Sequence, residues 1–317
     1  MESCRCAQVK AAAAAAVQAF EWFPPGAVGA HERTLFWAVV AVSWLATFVR
    51  QNGRRNYSVV DRLWPLLPTG LVAQWAYDSG LAGRSKAAAA AGLVAVWSVR
   101  LCYNSVRRGD YRWGAEDYRW AHVRQRLGGC WAVWEAFNLL FIALAQLAVV
   151  YLLAAPVREL IWHAGPGAGC EWTASEMALL GAMTLLLVGE AVADQQQYDF
   201  QMRKRRGEPG AGFVHSGLWR YSRHPNVACE LAFWTAMALY CALATGADLR
   251  RADGLRLLAG PALLALVVHA SVRLTEQISR SRYPLYRAYQ LRTSRLLPMT
   301  PLTSAQVIAT AHRRHQQ

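Results

Sequence analysis

Residues 131–155 read WAVWEAFNLLFIALAQLAVVYLLAA, twenty-five positions with Glu135 as the single charge. As a helix this stretch rises about 37 Å, more than the roughly 30 Å of a bilayer's hydrocarbon core. Working outward from it, six more apolar segments have the length of membrane spans: Leu35–Val49, Val59–Tyr77, Ala87–Val106, Met177–Ala193, Leu231–Ala247 and Leu255–Leu274. The first is short for a full crossing unless it extends through Thr34 and Arg50. The second carries Asp61, Arg62, Pro65 and Pro68, so a kinked helix is expected there. Composition agrees with a membrane protein. Charged residues are 17 % and hydrophobic residues 55 % of the 317 positions, against roughly 25 % and 45–50 % in an average soluble chain. The mean hydropathy is +0.12. A pair of soluble domains needs more charge on its surface, and a disordered chain needs far fewer apolar residues.

The chain is nevertheless basic, with 34 Lys and Arg against 20 Asp and Glu. The placement of these charges alternates. Arg50, Arg54 and Arg55 lie between the first two segments, and six arginines oppose Asp110, Glu116 and Asp117 between the third and fourth. Arg203–Arg206, Arg220 and Arg223 face Glu208 between the fifth and sixth, and a basic tail follows the seventh from Arg273 to Arg314. The connections around Arg84, Glu171 and Arg250 are close to neutral. By the positive-inside rule, the basic connections and the C-terminus are cytoplasmic and the N-terminus is not. The expected fold is therefore all-α and polytopic, with about seven transmembrane helices. Residues 1–33 read as a loose N-terminal tail, 34–298 as the transmembrane domain and 299–317 as a C-terminal tail. Gly165–Gly169 reads as a simple turn.

Several function classes drop out. The basic residues border apolar spans, and no zinc-finger, RNA-recognition or basic-region pattern occurs, so nucleic acid is not an expected partner. The seven cysteines, at 4, 6, 102, 130, 170, 229 and 241, form no CxxC pair and lie mostly in or beside apolar runs. They read as buried thiols, neither a disulfide framework nor a metal site.

Ionisable groups inside spans are costly and are candidates for function. Asp61, Arg100, Glu135, Glu190 and Asp194 qualify, with Glu230 at the head of the sixth segment. The densest constellation is Gly217-Leu-Trp219-Arg220-Tyr221-Ser-Arg223-His224-Pro-Asn226, followed by Glu230 and a span. Pro225 marks the turn into a helix, whose free N–H groups favour an anion. Arg220 and Arg223 can grip phosphate oxygens bidentately, and Arg203–Arg206 adds four cations. A cytoplasmic basic loop against anionic headgroups accounts for the same residues without a cofactor.

The stretch Gly217–Glu230 resembles the signature of the steroid 5-alpha-reductase-like membrane reductases, specifically a less characterised bacterial and eukaryotic branch. Motifs like those of that branch follow in order: Asn56-x-Ser58-x-x-Asp61-x-x-Trp64-Pro65, Glu116-Asp117-Tyr118-Arg119, and Ala193-Asp194-x-Gln196-x-x-x-Phe200. After the signature come Glu276, Tyr286-x-x-Tyr289-x-x-Arg292-Thr293 and a Leu-Pro at Pro298. The chain departs from the family where Val227-Ala228-Cys229-Glu230 replaces Tyr-x-Gly-Glu, and where Gln201 takes a position often basic.

The resemblance implies a seven-helix reductase binding NADPH in a cytoplasm-facing cavity, with the cofactor half at about 175–298. It implies hydride transfer to an activated carbon–carbon double bond of a lipid-like substrate: a steroid, an enone, or an acyl or prenyl chain. Under it, Arg203, Lys204, Arg220 and Arg223 neutralise phosphates, and Asn226, Glu230, Glu276 and Arg292 hold ribose, adenine or nicotinamide. Trp219, Tyr221 and His224 complete the signature, and Tyr286 and Tyr289, three apart on one helix face, stack on or bond to the cofactor. Asp61 is the expected proton donor or carbonyl polariser, with Tyr103 or Tyr118 as second choices. For a eukaryotic member the expected membrane is the endoplasmic reticulum. The Arg-His-Pro sequence and terminal Glu…Tyr…Arg pattern also resemble isoprenylcysteine-type methyltransferases. Their S-adenosylmethionine carries no phosphate and would not require so many arginines. A non-catalytic lipid-binding protein of the same fold is the third alternative.

Overall fold

The computed structural model describes residues 29–80, 84–163 and 171–301. The alanine run Ala11–Ala16, the turn at Gly165–Gly169 and the tail beyond 301 lie outside the described residues. Helix makes up 74 % of what is described. Five helices are long and apolar enough to cross a membrane: Ser85–Arg108, Trp131–His163, Ala174–Arg205, Pro225–Thr245 and Gly254–Arg282. The protein is thus an all-α, multi-pass membrane protein.

The two remaining sequence segments take other forms. The first is helix α1 (Ala30–Ala46), which gains a turn before Thr34 and stops at Thr47, a rise of about 26 Å. The second divides into α2 (Val59–Leu63) and α3 (Leu67–Ser79). Pro65 stands at the break: it has no N–H to continue the helical ladder and its ring crowds the preceding turn, although Trp64 before it keeps helical backbone. The Pro65 carbonyl is taken up by the Ser98 hydroxyl.

The chain forms two compact units. One comprises residues up to Asp78 with Val94–Ala155; the other comprises Ser79–Leu93 with the chain from Pro156 onward. In the first unit, α1 leads into a hairpin of β1 (Arg50–Gln51) and β2 (Arg54–Arg55). Its turn is Asn52-Gly53, with φ of 52° and 77°, the left-handed pair that a two-residue hairpin demands. The core is aromatic: Tyr151 meets Phe36 and Trp75 edge-on at 6.0 and 5.9 Å. The α4 helix (Ser85–Arg108) leads to the short α5 (Tyr118–Arg126), which Asp117 caps by accepting the Arg119 N–H. The long α6 (Trp131–His163) contains a π-helical stretch, Asn138–Ala145.

In the second unit, α7 (Ala174–Arg205) starts with a capping box between Thr173 and Glu176. It ends on Arg203, Lys204 and Arg205, which suit the negative end of the helix dipole. A 3₁₀ turn (Gly217–Arg220) precedes α8 (Pro225–Thr245). Pro225 fills the first helical position of α8, and Gly246 ends it at φ 70°. Then follow α9 (Ala252–Arg256), α10 (Ala259–Arg282) and α11 (Tyr286–Arg292). Helices α7 and α8 run side by side at a close approach. A Cβ on Gly189 would stand 3.2 Å from the Cys229 sulfur. Cys229 therefore faces a glycine on the neighbouring helix.

Candidate functional site

The motifs gather into two clusters, one in each unit. In the first unit, the Asn56–Pro65 motif is tied to the Glu116–Arg119 motif. Tyr57 N–H donates to Glu116 Oε1 at 2.8 Å, Asp117 N–H to Ser58 Oγ at 2.9 Å, and Trp120 Nε1–H to Asp61 Oδ2 at 3.0 Å. Asn56 shapes the entry to α2, accepting Ser58 N–H at 2.9 Å and donating to the Ala115 carbonyl at 2.8 Å. Arg62 reaches the same carbonyl at 2.7 Å. Glu135, the lone charge of the longest apolar run, is gripped bidentately by Arg55 at 2.7 and 3.0 Å. Asp61 sits inside this cluster. Tyr103 lies outside it on α4, 64 % exposed, with the Arg107 guanidinium 5.1 Å from its ring. Tyr118 is exposed and meets His122 edge-on.

In the second unit, the 193–200 motif, the Gly217–Glu230 signature and the C-terminal motif converge. Trp219 Nε1–H donates to the Ala193 carbonyl at 3.0 Å, Leu218 N–H to Gln196 Oε1 at 2.9 Å, and Asn226 Nδ2–H to Asp194 Oδ1 at 3.1 Å. Gly217 is required at this joint. It has φ +62°, and a Cβ there would meet the Gln196 side chain at 2.5 Å.

Arg223 is buried and spends its donors within the protein. Its Nε and Nη2 hold Glu276 at 2.6 and 3.2 Å, while Nη1 donates to the carbonyls of Gln290, at 3.0 Å, and Thr293. His224 Nε2 lies 3.2 Å from Glu276 Oε1, Gln290 donates to Oε2 at 3.1 Å, and Arg295 stands 3.5 Å away. Signature and C-terminal segment also join through the backbone, with Arg223 N–H on the Ser294 carbonyl at 2.9 Å. Asn226 Oδ1 is a buried acceptor without a hydrogen-bond partner. Glu230 is half-buried one turn further along α8.

Tyr286 and Tyr289 pack against Phe213 at 5.0 and 5.2 Å, and the Tyr289 hydroxyl donates to the Trp219 carbonyl. Burial pushes the Tyr289 phenol up from its ordinary value, with Tyr286 adding to the shift. Lys204 donates to the Tyr283 hydroxyl at 2.7 Å and to the Gly212 carbonyl at 3.0 Å, fixing the loop after α7. Burial would raise the Tyr283 phenol, but the cations of Lys204 and Arg282 outweigh it and hold the group below the usual value. Arg203, Arg220 and Tyr221 are exposed. The Arg220 carbonyl receives Thr293 Oγ1–H, and the Tyr221 carbonyl receives Met299 N–H.

Beside this cluster is a cavity of about 560 Å³. Five arginines line it, Arg223, Arg280, Arg287, Arg292 and Arg295, with Glu276 the only carboxylate; Gln290, Thr293, Ser294 and Thr300 add polar groups. Arg280, Arg287 and Arg295 were not among the site residues expected from sequence. Their signal was the charge excess after the last apolar segment, which topology alone also explains. Among the described residues no group of three or more His, Cys, Asp or Glu side chains could hold a metal ion.

A family described as a protein of unknown function, DUF1295, matches residues 47–293. The chain belongs to this family. DUF1295 is related to steroid 5-alpha-reductase-like proteins. The DUF1295 match opens at Thr47, whose carbonyl and hydroxyl receive Arg55, and closes at Thr293, whose carbonyl receives Arg223. Both motif clusters therefore fall inside it, while Ser294 to Thr300 of the cavity lining lie beyond it. An uncharacterised protein of the fission yeast Schizosaccharomyces pombe is 34 % identical over 264 residues, covering 77 % of this chain and 73 % of its own length. No solved structure matches the chain.

Proposed function

We propose that the protein is an integral membrane reductase that uses NADPH to reduce a carbon–carbon double bond in a lipid-like substrate. The observation that carries this reading is the cavity in which five arginines surround one carboxylate. That carboxylate is already matched by Arg223. The excess positive charge suits a ligand with several phosphates, and planar guanidinium groups suit phosphate oxygens. S-adenosylmethionine, cationic at sulfur and with one carboxylate but no phosphate, would leave most of such a lining unmatched.

On this reading Arg280, Arg287, Arg292 and Arg295 receive phosphates. Arg223, His224 and Glu276 hold the floor in shape, and Asn226 Oδ1 supplies an unused acceptor for a hydroxyl or amide. Tyr286 and Tyr289 support the wall through Phe213. NADPH, when bound, supplies the hydride for the double bond. Asp61, whose carboxyl is fixed by the Trp120 N–H, is the first candidate to move the accompanying proton, ahead of Tyr103 and Tyr118. The proposed topology counts α1 and the broken α2–α3 pair with the five long helices. This gives seven passages with the N-terminus non-cytoplasmic and the C-terminus cytoplasmic. The endoplasmic reticulum is the proposed membrane for a eukaryotic member.

Thermal unfolding of the detergent-purified protein, titrated separately with NADPH, NADH and S-adenosylmethionine, tests the reading. NADPH is expected to raise the midpoint, and Arg287→Ala with Arg292→Ala is expected to remove the rise while leaving the unliganded midpoint in place. A rise with S-adenosylmethionine alone would move the assignment to the methyltransferases. No rise with any of the three would favour a non-catalytic lipid binder.

A further inference from the structure

Two apolar side chains, Leu291 and Met299, belong to the lining of the arginine cavity and are 41 % and 60 % exposed. Leu285 and Leu297, close to them in sequence, are 62 % and 74 % exposed. Leu285 follows directly on α10, the last helix long and apolar enough to cross the membrane, which ends at Arg282. Arg280 and Arg287 line the same cavity and are themselves exposed. Tyr286 faces inward and is buried, so α11 presents Arg287 and Leu291 outward. Leucines exposed beside guanidinium groups within a turn or two of a membrane helix make an interfacial arrangement. The apolar tips enter the acyl boundary and the cations meet phosphates at headgroup depth.

We infer that this surface docks on its own bilayer and takes into the cavity the headgroup of a phospholipid ending in a phosphomonoester. A phosphodiester lipid offers one negative charge and would leave most of the lining unmatched. A monoester carries nearly two charges and three free oxygens, which bidentate guanidinium groups can share. The volume of about 560 Å³ accommodates a headgroup larger than a bare phosphate. The inference stands apart from the reductase reading, although a lipid phosphate and a dinucleotide would share these arginines and so compete.

The test uses the full chain in nanodiscs of phosphatidylcholine alone, with added phosphatidate, or with phosphatidylserine matched in total charge. The readout is the thermal midpoint, with pyrophosphate added to the phosphatidylcholine discs as the free-phosphate arm. Phosphatidate is expected to raise the midpoint clearly more than phosphatidylserine, and Arg280→Ala with Arg287→Ala to abolish that difference. Leu285→Ser with Leu297→Ser keeps every arginine. It should weaken the phosphatidate response and leave any pyrophosphate response intact, which also covers the case in which the arginine variant fails to fold. An equal rise with phosphatidylserine would reduce the effect to diffuse electrostatics and overturn the inference. So would a phosphatidate response that survives the arginine variant, or a pyrophosphate response without a phosphatidate one. A phosphatidate response in a protein indifferent to NADPH would support the docking surface while removing the reductase reading.

Discussion

Each unit contains a glutamate on a long apolar helix gripped bidentately by an arginine from an earlier, non-helical segment. Arg55 holds Glu135 in the first, and Arg223 holds Glu276 in the second. Both carboxylates collect further donors, Tyr57 and Asn138 on Glu135, His224 and Gln290 on Glu276. The surroundings differ. Around Glu135 the cations are covered by rings: Arg55 lies 3.8 Å from the Phe48 centroid, and Arg124 lies 4.7 and 4.6 Å from Tyr57 and Trp134. Arg119 and Arg108 pair with Asp117 and Asp110. Around Glu276 arginines accumulate beyond what the carboxylate can match, and they border a cavity. Arg55 also borders a cavity, of about 460 Å³, but two arginines and Glu116 line that one, against the five arginines and single carboxylate in the second unit.

Removing the two glutamates tests this difference. Glu276→Ala strands a buried guanidinium, and truncating one partner of such a pair costs about 3–5 kcal/mol. The expected result is a large fall in the thermal midpoint in detergent, partly recovered when Arg223→Met is added. Glu135→Ala should cost less, about 1.5–3 kcal/mol, since Arg55 is partly exposed and keeps its ring contact. Equal losses would mean that the two joints are equivalent and that the floor of the cavity carries no special load.

How much of this could be read from the sequence depends on the scale of the signal. The five long helices follow from apolar length, which no other environment accommodates so simply. The break within 59–77 was visible as Pro65, but the Ser98 hydroxyl that meets its carbonyl was not, since that contact depends on tertiary packing. The motifs were visible as residue types. Their pairing was not: Ser58 with Asp117 and Arg223 with Glu276 are joined across 59 and 53 positions. Arg223 looked like a phosphate grip because it is an arginine at a helix start. Only the fold shows that its donors are taken by Glu276 and two carbonyls. Arg280 and Arg287 were hidden for the opposite reason, as part of a basic tail that the positive-inside rule explains without a site.

The glycine turns give a second and smaller contrast. Gly217, at the joint between the signature and Gln196, combines φ +62° with a Cβ position filled by a side chain. Gly128 in the first unit has φ +78° with nothing within 4 Å of its Cβ position. Gly128→Ala pays only the left-handed backbone term, about 1–2 kcal/mol. Gly217→Ala adds displacement of Gln196 and loss of its bond to Leu218 N–H, about 1 kcal/mol more. Comparing the two midpoints measures how tightly the second cluster is packed, and equal losses would show that Gln196 moves aside freely.

The smallest expected effect concerns two tyrosines of the second unit whose environments act in opposite directions. Tyr283 is held below its ordinary value of 10.0 by Lys204 and Arg282 in spite of burial. The folded state therefore favours its phenolate. That contribution to stability is complete above about pH 10 and is lost as pH falls through the lower folded value. Tyr289 is held above 10.0, chiefly by burial. Its contribution is complete below about pH 10 and is lost as pH rises towards the higher folded value. The stability lost in Tyr283→Phe relative to the native protein should thus grow as pH is raised towards 10, whereas Tyr289→Phe should relieve the decline above 10. Both phenols border the loop that Lys204 fixes, so a Lys204→Met variant should flatten the Tyr283 difference and leave that of Tyr289 in place. A Tyr283 difference that stays flat with pH would place Lys204 away from the hydroxyl in solution and release the 206–216 loop from α10.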